Sequence, residues 1–300
     1  MKIFVSGCGS FIGKEVLRLG RNKGIETVGV DLVDTGQEGC SVGDIRSPKI
    51  TEKIPENVDA IVHLAALSRD PDCRGKAYTC FDANVMGTLN LMEAAKAKGA
   101  RQFIFASSEW VYDSFEDGVA KKEDDVINVA GITSEYALSK LVSEANLRQA
   151  HQQGFCPVTI LRFGIVYGPR RSNWSAVESI FSSVSTQDEV TVGSLKNGRR
   201  FIHVSDIASA VIAAIGLGGF EIINVQGQKL ITLGEVIETS KKLVQRNPKV
   251  VERTPEQTNL RMVSGEKARQ LLPWQPEITL PAGLKSVADF LGIKTADIVN

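Results

Sequence analysis

The sequence predicts an α/β chain, a doubly wound parallel sheet joined to a smaller mixed α/β lobe. Three observations predict it. Short, nearly continuous apolar runs alternate with amphipathic stretches through the first half, the pattern of parallel strands covered on both faces by helices. A glycine-bearing turn, Gly7-Cys8-Gly9-Ser10-Phe11-Ile12-Gly13, joins the first run to the first amphipathic stretch. After residue 165 the rhythm changes, and Gly168-Pro169 breaks the chain.

The elements follow in order. Ile3–Ser6 reads as a strand, and Phe11–Leu19 as a helix with Phe11, Ile12, Val16, Leu17 and Leu19 turned inward. Thr27–Asp31 and Asp59–His63 are the next strands. Asp82–Lys98 is a helix, because Val85, Leu89, Met92 and Ala95 recur at spacings of three and four. Gln102–Ala106 is a strand, Ser134–Gln152 a long helix and Val158–Arg162 a strand. Right-handed crossovers between such strands make the sheet doubly wound. The segment up to Gly198 has no clear period. Beyond it, Phe201–Val204 and Glu221–Val225 read as strands, and Asp206–Leu217, Leu233–Leu243 and Gly283–Leu291 as helices. The expected division is a doubly wound domain over 1–165 and a smaller, less regular lobe over 166–300, with parts of about 201–225 returning to the first domain.

Composition narrows the function classes. The 300 residues are 43% apolar and 23% charged, with 35 basic and 35 acidic side chains, so the net charge is zero. A nucleic-acid footprint would normally be basic, and a polybasic membrane anchor is missing too. No run of 18 apolar residues spans a membrane, and Met1-Lys2-Ile3-Phe4-Val5 lacks the features of a signal peptide. The five cysteines are scattered without a CxxC, and the three histidines stand apart, so neither a disulfide framework nor a metal site is expected. The expected setting is the reduced cytoplasm, without nucleic acid or membrane as partner.

Two constellations carry chemistry. The glycine turn leads into a helix N-terminus, where unpaired N–H groups and a partial positive charge favour phosphate. Gly7 and Gly13 keep the outer spacing of a dinucleotide turn, and Gly9 supplies the close backbone approach one position early. Eighteen residues beyond Gly13, Asp31 ends the second strand. A carboxylate there accepts both adenosine-ribose hydroxyls and repels a 2′-phosphate, favouring NAD over NADP. The second constellation is Tyr136 and Lys140, one turn apart on one helix face, with Ala106-Ser107-Ser108 at a strand end upstream. A lysine ammonium beside a tyrosine is expected to lower its pKa, so that it exchanges a proton with a substrate hydroxyl.

These features fall in the order and at the intervals of one family. Over nearly its full length the chain resembles an extended short-chain dehydrogenase/reductase, of the NAD-dependent nucleotide-sugar epimerase/dehydratase type, which has a Rossmann-type sheet. Beyond the turn (with Ser10, Phe11 and Ile12) and Asp31, Asp44-Ile45 resembles the adenine-contacting pair, and His63-Leu64-Ala65-Ala66 the strand end lining the cofactor. Asn84-Val85-Met86-Gly87-Thr88 resembles the family's helix start. Ser107 to Tyr112 resembles Ser-Ser-x-x-Val-Tyr, with Ser108 at the catalytic Ser/Thr position. Leu161-Arg162-Phe163 through Arg170, and Arg199 to Asp206, resemble two further segments.

The resemblance implies a function and roles. Ser108, Tyr136 and Lys140 are implied as catalytic. Gly7, Gly9, Ser10, Phe11, Ile12, Gly13, Asp31, Asp44, Ile45, Leu64, Ala65, Ala66, Asn84, Tyr136, Lys140 and Phe163 are implied to bind NAD. Ser108, Glu109, Tyr136, Ile165, Arg170, Arg199 and Arg261 are implied to bind a nucleotide-diphosphate sugar, the arginines because guanidinium groups pair bidentately with phosphate. The implied reaction is epimerisation through a keto sugar. Dehydration, decarboxylation or keto-sugar reduction are the family's alternatives, and a non-catalytic dinucleotide sensor is a reading from another class. Three departures stand out: Ser10 replaces the middle glycine, Ile165 stands where many epimerases have asparagine, and Glu109-Trp110 stands where dehydratases carry Asp-Glu. Relatives pair the helices at 82–98 and 134–152 across a dimer interface, so a homodimer is implied.

Overall fold

The computed structural model describes residues 1–112, 114–116 and 118–296. The first half contains β1 (Lys2–Ser6), α1 (Phe11–Asn22), β2 (Glu26–Asp31), β3 (Cys40–Val42), β4 (Ala60–His63), α2 (Asp70–Cys73), α3 (Ala77–Phe81), α4 (Gly87–Ala97), β5 (Phe103–Ser108), α5 (Glu135–Gln152) and β6 (Val158–Phe163). The second half contains β7 (Val166–Tyr167), α6 (Ala176–Thr186), β8 (Glu189–Val192), β9 (Gly198–Arg199), β10 (Ile202–His203), α7 (Val204–Ala213), β11 (Phe220–Val225), β12 (Ile231–Thr232), α8 (Leu233–Val244), β13 (Lys249–Glu252), β14 (Leu260–Arg261), α9 (Glu266–Leu271) and α10 (Leu280–Leu291).

The central sheet has seven strands in the order β11-β6-β5-β4-β1-β2-β3, and every pair is parallel. Alternate residues of each strand feed opposite cores, as the pleat requires. Ile3, Val5, Ala60, Val62, Ile104 and Leu161 meet Val16 and Leu17 of α1 and Ile207 and Val211 of α7. Phe4, Ile61, Phe103, Phe105 and Ile160 meet Leu91 and Met92 of α4 and Leu147 of α5. Each of these side chains larger than alanine contributes roughly 1.5–3 kcal/mol by leaving water. A third core, built on Phe181, Val236, Ile237 and Leu284, holds α6, α8 and α10 together. Winding reverses between β1 and β4, and in such sheets that reversal opens a crevice beyond the carboxyl ends of the strands.

Several elements depart from the sequence expectation for local reasons. The helix expected over 82–98 starts with a π-helical turn, Asp82–Met86, before α4. That wide turn buries Asn84 against the segment leaving β4. The unassigned segment before Gly198 holds α6, begun by a capping box in which Ser175 and Glu178 satisfy each other's backbone N–H groups. The strand expected over 201–204 shrinks to β10, which pairs with β7 outside the main sheet, because His203 already caps α7 by accepting from Ser205 N. The helix expected over 206–217 accordingly starts earlier, at Val204, and ends at Ala213. β11 lies beside β6 at the edge of the main sheet. Among the described residues no helix is long and apolar enough to cross a membrane.

Candidate functional site

A cleft of about 1790 Å³ runs over the carboxyl ends of the central strands. Its floor at one end is the turn between β1 and α1. Gly7 has φ +75°, and a Cβ there would lie 2.8 Å from Ala65 N, so the strand-end segment after β4 sits directly against it. A Cβ on Gly13 would collide with Gly7 O, so Gly13 permits the packing of α1 under the turn and is not part of the cleft wall. Ser10 is the N-cap, its Oγ accepting from Gly13 N at 3.0 Å. The backbone N–H groups of Phe11 and Ile12 find no acceptor among the described residues, and both residues line the cleft. Two free donors at a helix N-terminus fit a pyrophosphate.

Asp31 ends β2 and accepts from Gly9 N at 2.9 Å, so the carboxylate and the glycine loop are fixed relative to each other. Asp44 and Ile45 line the same end of the cleft. The Asp44 carboxylate is already held by Arg46 (2.7 to 3.1 Å), which pulls its pKa down, and Arg46 reaches on to Asp82 at 2.9 Å. Leu64, Ala65 and Ala66 form the wall across from α1. Asn84 stands behind that wall. Its Oδ1 accepts from Leu67 N at 2.8 Å, and its Nδ2 donates to Leu67 O and Ser139 Oγ at 3.0 Å each. Asn84 thus positions the backbone of the cleft wall and is not itself part of the lining.

The other end of the cleft holds the tyrosine, lysine and serine. β5 ends at Ser108, and α5 brings Tyr136 and Lys140 alongside, so residues about 30 apart in sequence share one pocket wall with Phe163. Lys140 Nζ donates to Ala106 O at 2.7 Å and lies 4.7 Å from the centroid of the Phe105 ring. Burial lowers the Lys140 pKa to about 8. Tyr136 departs from expectation. Burial among Cys73, Cys80 and Leu67 pushes its pKa up to about 12, while a hydrogen bond with Ser108 pulls the other way. Lys140 lies 5.9 Å from the Tyr136 ring centroid and spends its hydrogen bond on a backbone carbonyl, so desolvation wins.

A buried polar network fixes this wall. Arg162 of β6 grips Glu144 of α5 with two hydrogen bonds, 3.0 and 2.7 Å, and the Ser107 hydroxyl donates to the same carboxylate. Arg162 also donates to Tyr112 Oη at 3.1 Å, and Tyr112 donates to Asn224 Oδ1 at 2.8 Å. The network ties α5, which carries Tyr136 and Lys140, to β5 and β6.

The residues implied to bind substrate divide into two groups. Ile165 and Arg170 line the cleft. Arg170 is tied to Glu178 at 2.7 Å, and its guanidinium carbon lies 4.5 Å from the centroid of the Phe11 ring. Glu109, Arg199 and Arg261 form a separate cluster outside the lining of the main cleft. Burial raises the Glu109 pKa to about 7, against the pull of Arg261 and Arg199. With its amide nitrogen turned toward Glu109, Gln226 donates to Glu109 Oε2 (3.1 Å) and accepts from Gly164 N (3.2 Å). Gln226 carried no motif in the sequence, and only the fold brings it here. His63 is buried between Ser6 Oγ (2.7 Å) and Thr88 Oγ1 (2.8 Å), and burial holds its pKa down at about 3.

Comparison with known proteins places this geometry. The NAD dependent epimerase/dehydratase family matches residues 3–225. A UDP-glucuronate 4-epimerase of Thermodesulfobacterium geofontis is 26% identical over 238 residues, covering 78% of this chain and 72% of its own. UDP-glucuronic acid decarboxylase 3 of Arabidopsis thaliana is 29% identical over 299 residues, covering 95% and 87%. The structure of the Thermus thermophilus UDP-glucose 4-epimerase complexed with NAD aligns with a TM-score of 0.82 at 25% identity, covering 97% of this chain and 99% of that one. With its Rossmann-type parallel sheet, its glycine turn and most of its length matched, the chain belongs to the NAD dependent epimerase/dehydratase family.

Proposed function

We propose that the protein is an NAD-dependent epimerase of a nucleotide-diphosphate sugar. The observation that carries this reading is one shared cleft. The Gly7–Gly13 turn and Asp31 lie at one end, and Ser108, Tyr136 and Lys140 at the other. Phe11 and Ile12 N–H would hold the pyrophosphate of NAD, Asp31 the adenosine ribose and Lys140 the nicotinamide ribose. When bound, NAD accepts and returns the hydride of a sugar carbon. The chain's own groups handle the proton. Tyr136 takes it from the sugar hydroxyl and gives it back to the keto oxygen, and Ser108, which lines the same cleft wall and draws the Tyr136 pKa down, orients that oxygen. A phenol near 12 is protonated at neutral pH, which suits the return step. In the forward step, the Lys140 ammonium favours the phenolate, and the positive charge of bound NAD would add to that effect.

Decarboxylation or dehydration is the second reading, supported by the decarboxylase relative and by the buried Glu109 next to Ser108. One experiment separates the readings. The protein is incubated with NAD and UDP-glucose, UDP-glucuronate or their 4-epimers, and products are read by mass and NMR. Epimerisation conserves mass. Loss of water or carbon dioxide replaces the epimerase reading with the second. Stoichiometric reduction of added NAD, or oxidation of NADH supplied with a keto sugar in a parallel incubation, replaces it with a net oxidoreductase.

A homodimer through α4 and α5 belongs to the same reading. Leu89, Leu138 and Val142 on these helices stay only half-buried within one chain. Light scattering at micromolar concentration gives the dimer mass, and a monomer mass removes the idea. A cytoplasmic location is inferred from the free cysteines, and fractionation of cells tests it.

A further inference from the structure

A group of ionisable residues beside the reactive trio has no part in the proton exchange just described. Glu109 directly follows Ser108 and is 2% exposed. Its Oε2 receives Gln226, and its Oε1 has no partner among the described residues. Arg199 and Arg261 are the charges nearest in effect, and they stand opposite each other where β9 pairs with β14. Arg199 donates to Gly198 O and Asn259 O at 2.7 Å each, and Arg261 lies over the rings of Trp110 and Phe115. Neither guanidinium makes a salt bridge among the described residues. Burial and the neighbouring Arg261 hold Arg199 below its ordinary pKa. On α5, which packs against the turn carrying Glu109, Lys140 is engaged by Ala106 O and Glu144 by Arg162, and burial keeps the Tyr136 phenol neutral. Two paired arginines with a buried carboxyl as their counter-charge are suited to exchange that counter-charge for an external anion.

We propose that Glu109 couples proton uptake to phosphate binding: its carboxylate form balances Arg199 and Arg261 in the free protein, and Glu109 takes a proton from solvent when a diphosphate occupies both guanidinium groups. This rests on reading Arg199 and Arg261 as the diphosphate contacts of a nucleotide-sugar site. The two arginines restrain what burial does to Glu109, which sits at about 7 in the free protein. A bound dianion cancels that restraint and adds repulsion, so the protonated form gains. By linkage, a diphosphate binds less tightly as pH rises above neutrality.

Calorimetry tests this with UDP-glucose as the probe and NAD present in excess. Both phosphates of UDP-glucose stay singly ionised near neutrality, so the ligand itself takes up no proton. Titrations at pH 7 in two buffers of different ionisation enthalpy give the protons taken up per site. The expected value for the unaltered protein is up to about half a proton from Glu109. The Glu109→Gln variant loses that fraction, whereas any share from Lys140 is the same in both. Arg261→Ala takes up less because one restraining charge is already gone, and it decides the matter if Glu109→Gln does not fold. Uptake equal to that of the unaltered protein in either variant overturns the coupling while leaving the epimerase reading intact. UDP-glucose binding that is indifferent to Arg199→Ala overturns the anion assignment. No binding at all overturns the proposed function, and the coupling with it.

Discussion

Burial acts on Tyr136 and on Glu109, the neighbour of Ser108, in the same direction. Each is an acid whose neutral form is favoured by desolvation, one held at about 12 and the other at about 7. For Tyr136 the consequence is kinetic. Tyr136→Phe removes one hydroxyl from a packed ring, so turnover is expected to fall by roughly 10²-fold or more. NAD binding, followed by fluorescence quenching, is expected to persist. Undiminished turnover would remove Tyr136 from the reaction. For Glu109 the consequence also appears in stability. Below its ordinary value of 4.5 the carboxyl is protonated whether the chain is folded or not. Between there and about 7 the unfolded chain ionises while the folded one does not, and stability is lost as pH rises. Glu109→Gln lacks that loss. Its urea stability relative to the unaltered protein is expected to improve by up to about 3 kcal/mol from pH 4.5 to roughly pH 8. A difference that does not change with pH would mean Glu109 is not held neutral. The tyrosine was legible in the sequence because a one-turn spacing fixes a helix face. The sign of its pKa shift was not, because that depends on what the fold packs around the ring.

Elements, more than single side chains, set the distance between the two ends of the cleft. The π-helical turn before α4 carries Asn84, which clamps the backbone at Leu67 and the Ser139 hydroxyl of α5 at once. One amide thus joins the cleft wall at Leu67 to the helix that bears Tyr136. Asn84→Ala leaves Leu67 N–H and C=O without their partner, a loss of about 2 kcal/mol in buried hydrogen bonding. Weaker NAD binding and a lower thermal midpoint are expected together. A lower midpoint with unchanged NAD affinity would mean the clamp supports the fold and not the wall. The Asn-Val-x-Gly-Thr segment marked this position in the sequence, but the resemblance implied a cofactor ligand. Only the structure assigns the amide to Leu67 and Ser139. The capping box at Ser175 and Glu178 was readable from its spacing, and it would have placed α6 in the segment left without a period.

Across the whole molecule, the two halves of the chain share a core. Ile207 and Val211 of α7, Ile223 and Val225 of β11, and Leu272 join Val16, Leu17 and Leu161 in one buried cluster. Glu15 of α1 accepts from Ser205 at 2.6 Å, and Arg170 lies over Phe11, so both halves also meet at the cleft. The cluster runs across residue 165, and it draws on the stretch of about 201–225 expected to return to the first domain. A fragment ending at residue 165 is expected to be insoluble or molten, because it would expose the α1 and β6 surfaces that α7 and β11 cover. A sharp, dispersed NMR spectrum from that fragment would show the first lobe to be autonomous.

The sequence by itself determined the parallel sheet, the glycine turn, Asp31 and the spacing of Tyr136 and Lys140. Each of these is set by local geometry: the period of a strand or helix, the freedom of a glycine, the end of a strand. The tertiary structure alone decided which groups face an opposite charge and which merely hold others in place. Glu144 is paired with Arg162 from another element, Gln226 meets Glu109 from far along the chain, and Arg199 faces Arg261 only because β9 pairs with β14. Solvation and Coulomb energies depend on distances in space, and residues far apart in sequence acquire those distances only when the chain folds.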